Sequence, residues 1–536
     1  MEKYITDELN DTPNEKRVYA KLFDASEYKD KTKYDITYYE CEYILRCIDG
    51  DFIGKQCELR KIGNVIIMGN DKETTNFFIE DENLSKNHCK LEFLDQTYYY
   101  KLTDLNSKNG TWLKINNLED GYEIKQNTYF KLLNNLFLIN FVENNKIYLE
   151  AIEGEKKGKK LMLKNDDSIL IGKDKTQLDL ELPQKCENLL FKFFRTKGKV
   201  FVSCVSPEMI DEGMYFKINE PVFVRAGDYI MIGNSVFRIL SHNWGVFTNI
   251  GDRMSQEDRY CIIDDLRIFK DVIIPFYAIY DGHGGTSCSE YLVKNFHKNL
   301  HDYIRCINLN DKNNFLEILC NTIQEAIIYS DFEYYEKESL SLHQGSTCIF
   351  LLFIGNLILC CNLGDSISIL HKYNSQLIYL SRDLKPSREL EKKRIEYRKG
   401  YVSKDGRLLG IINVSRALGD WKFKDKKKQY LLKKGDDFDD YLISNKAEFR
   451  LYEFKPKEDY YAILTSDGIF QNDSPQQVFG LINNYLSKDK NDNNNKFYLK
   501  NIPNIVDNVG LEILNNNINS DSDNMTMIML QLNKSK

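Results

Sequence analysis

The chain has 536 residues, of which 42% are hydrophobic and 29% charged, with a formal net charge of −7. That apolar content argues against global disorder, the length predicts two to four domains, and the acidic balance argues against nucleic acid as a partner. The 13 cysteines show no regular CxxC spacing, which argues against a disulfide framework or a cysteine zinc site and fits an intracellular, reducing compartment, cytoplasmic or nuclear.

Residues 1–35 are charged and aperiodic, and read as a mobile or loosely docked arm that begins with neither a signal peptide nor a myristoylation signal. Residues 36–145 repeat short apolar alternations such as Val65–Met68, Lys90–Phe93 and Leu136–Ile139, punctuated by Gly and Asn, and predict a β-sandwich. The same rhythm over 146–241 predicts a second, separate sandwich. The link at Ser241–Phe247 is short and not Gly/Ser-rich, so the modules are expected to move little against each other.

Residues 242–536 mix strands and helices. Tyr291, Leu292, Phe296 and Leu300 fall on one helical face behind an N-cap at Thr286 or Ser287, and Leu316, Leu319, Ile323, Ala326 and Ile327 fall on another. The apolar run Cys348–Leu363 is interrupted by Gly355-Asn356 and reads as a hairpin, not a membrane span. Strands with inserted helices predict an α+β domain with helices flanking a sandwich. Lys488–Lys496 reads as a surface loop.

In this third region acidic residues recur where strands should start or stop: Glu257-Asp258, Asp281-Gly282-His283, Asp365, Asp467-Gly468 and Asp523. A lone Asp-Gly is usually a turn; the ordered set is not. Carboxylates held at strand ends can converge on hard divalent cations such as Mg²⁺ or Mn²⁺, which take oxygen ligands. Asp281, Asp467 and Asp523 are the natural direct ligands, the Gly282 carbonyl can face a metal, and Glu257 and Asp258 can act through metal-bound water. Arg253 offers a planar fork for phosphate oxygens, and His283 can protonate a departing alkoxide.

The segments Arg253-Met-Ser-Gln-Glu257-Asp258, Tyr280-Asp-Gly-His-Gly-Gly285, Gly345-Ser-Thr347, Asn362-Leu-Gly-Asp-Ser366, Asp383-Leu-Lys-Pro386, Val414-Ser-Arg-Ala-Leu-Gly-Asp420, Thr465-Ser-Asp-Gly-Ile-Phe470 and Asp523-Asn-Met525 resemble, in order and spacing, the metal-dependent protein serine/threonine phosphatases of type 2C. The resemblance implies an α-β-β-α sandwich and hydrolysis of phosphoserine and phosphothreonine in protein substrates. It also implies a binuclear Mg²⁺ or Mn²⁺ centre on Asp281, Gly282, Asp467 and Asp523, substrate phosphate on Arg253, and His283 as general acid. A variable flap would fall at 421–446. The family often carries an acid four residues after the Asp of Asp-Gly-Ile, which with the residue matching Asp365 helps hold a third metal. Here that position is Gln471, a poorer ligand for a hard cation. Leu384 replaces a customary His, a packing change, and Ile367 a customary Arg.

Residues 62–142 resemble a forkhead-associated domain through Gly69-Asn70, Leu84-Ser-Lys-Asn-His88 and Asp104-Leu-Asn-Ser-Lys-Asn-Gly-Thr111. The resemblance implies phosphothreonine-peptide binding, with Ser85 on the phosphate, Asn109 on peptide backbone and His88 as buttress. Asn70 stands where the family usually has a phosphate-binding Arg, so charge would have to come from Lys72, Lys86 or Lys108. Residues 146–241 resemble a degenerate copy with a structural or protein-binding role. The leading expectation is an active phosphatase targeted or regulated by these domains. The alternative is a catalytically weak scaffold for phosphoproteins, to which Gln471 and Asn70 point. Neither reading involves nucleic acid or membrane.

Overall fold

The computed structural model describes residues 17–22, 43–59, 65–93, 100–114, 122–125, 127–132, 135–142, 146–163, 168–172, 180–181, 190–196, 199–204, 214–224, 227–240, 243–269, 272–307, 315–337, 342–354, 357–424, 441–455, 458–488, 502–516 and 521–532. Most of the N-terminal arm, most of the flap, the Gly355-Asn356 turn and all of the Lys488–Lys496 loop but Lys488, which ends a helix, lie outside them. Two compact units emerge: Met1–Cys41 with His242–Lys536, and Glu42–Ser241. No helix among the described residues is long and apolar enough to cross a membrane.

The first unit is built on two six-stranded sheets. One runs in the order Val18–Tyr19, Leu377–Tyr379, Ile367–Lys372, Asp459–Thr465, Met525–Gln531, Asn243–Asn249. The other runs Lys21–Leu22, Glu448–Glu453, Leu357–Leu363, Cys348–Ile354, Val272–Tyr280, Arg259–Phe269. Strand alternation divides the apolar side chains. In Val272–Tyr280, Tyr277 and Ile279 join Ile349, Leu464 and Ile528 between the sheets. Phe276, Ala278 and Tyr280 instead meet the helices Ser287–Ile304 and Phe315–Lys337. The helices Pro475–Lys488 and Ile502–Asn516 cover the other sheet through Val478, Ile482, Val506 and Val509. The fold is α+β, an α-β-β-α sandwich in this unit.

Within the described residues the arm is not loosely docked. Val18–Tyr19 pairs in parallel with Ile378–Tyr379 on one sheet, and Lys21–Leu22 pairs antiparallel with Arg450–Leu451 on the other. Tyr19 and Ala20 are buried, Arg450 donates to the Ala20 carbonyl, and the Arg382 and Arg450 guanidinia lie over the Tyr19 ring. An apolar Tyr-Ala pair among charges is enough to anchor six residues.

The second unit is a single body of two sandwiches, not two modules in sequence order. One five-stranded sheet is Val222–Val224, Tyr100–Asp104, Cys89–Phe93, Val65–Gly69, Phe77–Phe78; the other is Tyr122–Ile124, Lys199–Cys204, Leu190–Thr196, Ser168–Gly172, Leu180–Glu181. Both pack on a continuous ten-stranded sheet. The strands between 122 and 142 complete the sandwich of the later residues: Tyr122–Ile124 pairs with 200–202, and Phe130, Phe137 and Ile139 share a core with Ile171, Phe191 and Phe193. Reciprocally, Val222–Val224 pairs with Tyr100–Leu102, and Ser235–Leu240 pairs with the strand at 44–49. The expected boundary at 145/146 therefore runs through an antiparallel pair, Asn135–Val142 with Lys146–Glu153. Three residues separate those strands, and closing so short a loop costs little entropy.

Candidate functional site

The acidic residues converge on one end of the first unit because each sits just outside a strand. Asp281 follows Tyr280, Asp365 and Asp467 lie two residues past Leu363 and Thr465, Asp523 lies two before Met525, and Glu257-Asp258 precede Arg259. Asn524 staples the segments: its Oδ1 accepts from Glu257 N at 2.8 Å, while Nδ2 donates to the Ile250 and Ser255 carbonyls. Two glycines are required by close approach. A Cβ at Gly282 would stand 2.5 Å from the Glu257 carbonyl oxygen, and one at Gly468 2.1 Å from that of Asn524.

The site is electrostatically frustrated. Burial, then Asp258, Asp467, Asp365 and Asp523, push the Asp281 carboxyl well above the usual range. Burial chiefly, with other carboxylates adding, lifts Asp258 to about 6, Asp365 to about 7, and Asp467 upward. Lys385 is one nearby counter-charge, its Nζ 3.8 Å from Asp365 Oδ2. Burial works against its charge, yet Asp365, Asp467, Asp383 and Asp281 raise its pKa. Ser466 donates to Asp258 Oδ2 at 2.7 Å, and among the described residues the buried Asp258 Oδ1 has no hydrogen-bond partner.

Arg253 points into this cluster and binds Asp523 with both edges of its fork, Nε to Oδ1 at 3.0 Å and Nη2 to Oδ2 at 2.9 Å. Among the described residues, no three His, Cys, Asp or Glu side chains close into a ready coordination shell. The carboxylates share one end of the sandwich without meeting at a point. The donor set still fits a hard divalent cation: all oxygen, mutually repelling, with an unpartnered buried Asp258 oxygen. Gln471 serves the backbone, accepting from Asp523 N at 3.0 Å and donating to the Asp521 carbonyl.

His283 has a partner that sequence reasoning missed. Its Nε2 lies 2.6 Å from Oδ2 of buried Asp420. Burial disfavours the imidazolium, but Asp420, joined by Asp365 and Glu257, outweighs it and the pKa is raised. Asp420 holds a left-handed φ of 53° after Gly419 at 76°. Gly419 N donates to Asp331 Oδ1 at 2.8 Å, and Lys424 Nζ meets Asp331 Oδ2 at 2.7 Å with both side chains fully buried. The Val414–Asp420 motif marked the segment, but nothing in the sequence tied its terminal Asp to His283. Leu384 is buried, its backbone bonded to Gly364 and Ser415.

In the second unit the loops bearing Asn70, Ser85 and Asn109 meet. Asn70 N donates to the Ser85 carbonyl at 3.1 Å, Ser85 Oγ accepts from Lys108 N at 2.9 Å, and Asn109 Nδ2 donates to the Asn83 carbonyl at 2.8 Å. His88 is buried beneath them, with Nδ1 accepting from Ser85 N and Nε2 reaching the Gly110 carbonyl at 3.0 Å. Burial lowers its pKa, so the neutral ring is favoured.

Two family models match the chain. Residues 244–502 match the family described as protein phosphatase 2C, and residues 66–133 match the FHA domain. The chain is 27% identical over 254 residues to integrin-linked kinase-associated serine/threonine phosphatase 2C of Homo sapiens, covering 45% of this chain and 60% of that protein. It is 28% identical over 255 residues to protein phosphatase 1L of Bos taurus, covering 46% and 65%. With probable protein phosphatase 2C 27 of Arabidopsis thaliana it shares 32% over 180 residues, covering 32% and 44%. The chain thus spans between 44% and 65% of the length of these relatives.

Proposed function

We propose, from the premise that residues 244–502 form a protein phosphatase 2C domain carried with an FHA domain at 66–133, that this protein hydrolyses phosphoserine and phosphothreonine in phosphoproteins. The observation that carries the reading is the convergence of Asp281, Asp467 and Asp523 at one sandwich end beside the His283–Asp420 pair. Asp281, the Gly282 carbonyl, Asp467 and Asp523 would hold two Mg²⁺ or Mn²⁺ ions, with Glu257 and Asp258 acting through water. Such ions supply a water nucleophile acidified from about 15.7 toward neutrality and neutralise phosphate charge. Asp365 would serve a third ion poorly, because Gln471 is uncharged and engaged with backbone.

The protein's own groups do the rest. Arg253 binds a planar dioxygen fork in Asp523, the shape a phosphate presents, and would exchange one for the other. His283, with Nε2 committed to Asp420, has Nδ1 for delivering a proton to the leaving alkoxide. The FHA domain would bring phosphothreonine segments to the chain through Ser85 and Asn109. Asn70 itself brings no charge.

The test is hydrolysis of a phosphothreonine peptide by EDTA-treated protein after adding Mn²⁺ or Mg²⁺, beside Asp281→Ala. Metal-dependent turnover that Asp281→Ala abolishes is expected, and its absence in the wild-type chain overturns the reading. One observation favours the second reading, a weakly active scaffold: Arg253 and Asp523, a phosphate-binding candidate and a metal-ligand candidate, occupy each other.

A further inference from the structure

Three short strands form a separate ribbon in the first unit: Gly282–His283, Gly345–Ser346 and Leu418–Gly419, in that spatial order. His283 lies opposite Gly345, and Gly345 lies opposite Gly419. Neighbouring strands stand about 4.8 Å apart, so the outer two are separated by about 10 Å. His283 is on one outer strand, and Asp420 follows directly on the other. Directly opposed residues project to the same face, so these two side chains meet over the middle strand, at Gly345.

The Asp420 side of the ribbon is fixed from behind. Asp420 N donates to the Gln344 carbonyl at 2.9 Å, Gly419 N to Asp331 Oδ1 at 2.8 Å, and Trp421 Nε1 to the Asp331 carbonyl at 3.1 Å. Asp420 itself is buried. Its carboxylate therefore has a set position, and the imidazole must come to it across the strand between. Gly345 is buried and leaves that path open. A Cβ there would stand 2.5 Å from His283 Nε2 and closer still to Asp420 Oδ2. Ordinary contact needs about 3.5 Å, so the imidazole would have to retreat by about 1 Å. Added to the 2.6 Å contact with Asp420, that takes the pair out of hydrogen-bond range. Gly345 is not among the glycines with positive φ, and the atoms nearest the added Cβ belong to the two side chains. A methyl group there parts the pair while the strand keeps its backbone.

We propose that Gly345 is a positioning residue for phosphoester hydrolysis: its missing side chain is what lets His283 and Asp420 join. This accounts for the first residue of the Gly345-Ser-Thr347 motif, which has no chemistry of its own. The role rests on the phosphatase reading, in which His283 is the general acid.

The test compares full-length wild type, Gly345→Ala, Asp420→Ala and the double variant, reading kcat in Mn²⁺ on a phosphothreonine peptide and on p-nitrophenyl phosphate, whose leaving oxygen needs no proton. Gly345→Ala should slow the peptide by about tenfold or more and the aryl phosphate by less than about threefold. In Asp420→Ala the pair is already gone and the space is open, so adding Gly345→Ala should change the peptide rate by less than about twofold. An unchanged peptide rate in Gly345→Ala, equal losses on both substrates, or a loss that adds to that of Asp420→Ala overturns the proposal. Wild type without turnover fails the phosphatase reading instead, and proton spectra in EDTA then decide. A downfield His283 Nε2–H resonance present in wild type and lost in both Gly345→Ala and Asp420→Ala supports the role; its absence from wild type or its survival in Gly345→Ala overturns it. Should circular dichroism show Gly345→Ala unfolded, the double variant decides: a folded protein with the rates of Asp420→Ala supports the role, and an unfolded or slower one overturns it.

Discussion

Replacing Asp420 by Asn removes one negative charge from a 2.6 Å contact with His283 while keeping the shape of the side chain. In the native site burial disfavours the imidazole's charge, and Asp420, followed by Asp365 and Glu257, more than restores it. With that carboxylate gone the largest contribution favouring the charged ring is lost, and the His283 pKa falls. A smaller fraction of the molecules would then carry the proton at pH 7.5. Misorientation of the ring adds to this, because an amide can present either face to Nε2. The expected loss in kcat on a phosphothreonine peptide is about 10²-fold, the lower part of the range for general acids. An aryl phosphate such as p-nitrophenyl phosphate needs no proton at its leaving oxygen, so its kcat should change less than about threefold. The alkaline limb of the peptide profile should also move to lower pH. Equal losses on both substrates, or none on the peptide, would refute the assignment of Asp420 as the group that charges and orients His283.

Asp331→Ala should destabilise the first unit by about 3–5 kcal/mol in denaturant unfolding, since it strands fully buried Lys424. Phe130→Ala, which removes a ring stacked on Phe137 and tilted against Phe193, should cost about 3–5 kcal/mol and shift one transition shared by both sandwiches. A fragment of residues 36–145 should lack a cooperative transition, whereas 42–241 should show one by calorimetry. His371 lies nearly parallel to, and packed against, both Tyr461 and Phe479, with a pKa lowered to about 4 by burial. Its neutral form belongs to the fold, so the stability it contributes is complete above pH 6.5 and is lost as pH falls toward 4, up to roughly 3 kcal/mol. His371→Phe should flatten that part of the stability–pH curve.

The sequence made the first unit legible because its strands are unambiguous. Runs such as Val272–Tyr280 are apolar on both faces, and the acidic residues fall just past their ends. Side-chain pairing was less readable. Asp420 lies 137 residues from His283, and only the left-handed turn at Gly419-Asp420 brings them together. The second unit shows a different limit. Alternation at period two says which face of a strand is buried but not which copy buries it. Phe130 and Phe137 fit the core of either sandwich by pattern, and the strand order is a property of the whole unit. The arm was misread because two short strands of two residues each give no periodic signal.

Residues 18–22 close the margins of both sheets in the first unit, although the strands they join are more than 350 positions downstream. During synthesis this segment must wait, unpaired, until Leu377–Tyr379 and Glu448–Glu453 have left the ribosome. Deleting it, or fusing a bulky group beside it, would bare two open edges where a stray strand can add. Residues made long before their partners are thus among the last to find their place, and they guard the unit against polymerising through its own sheets.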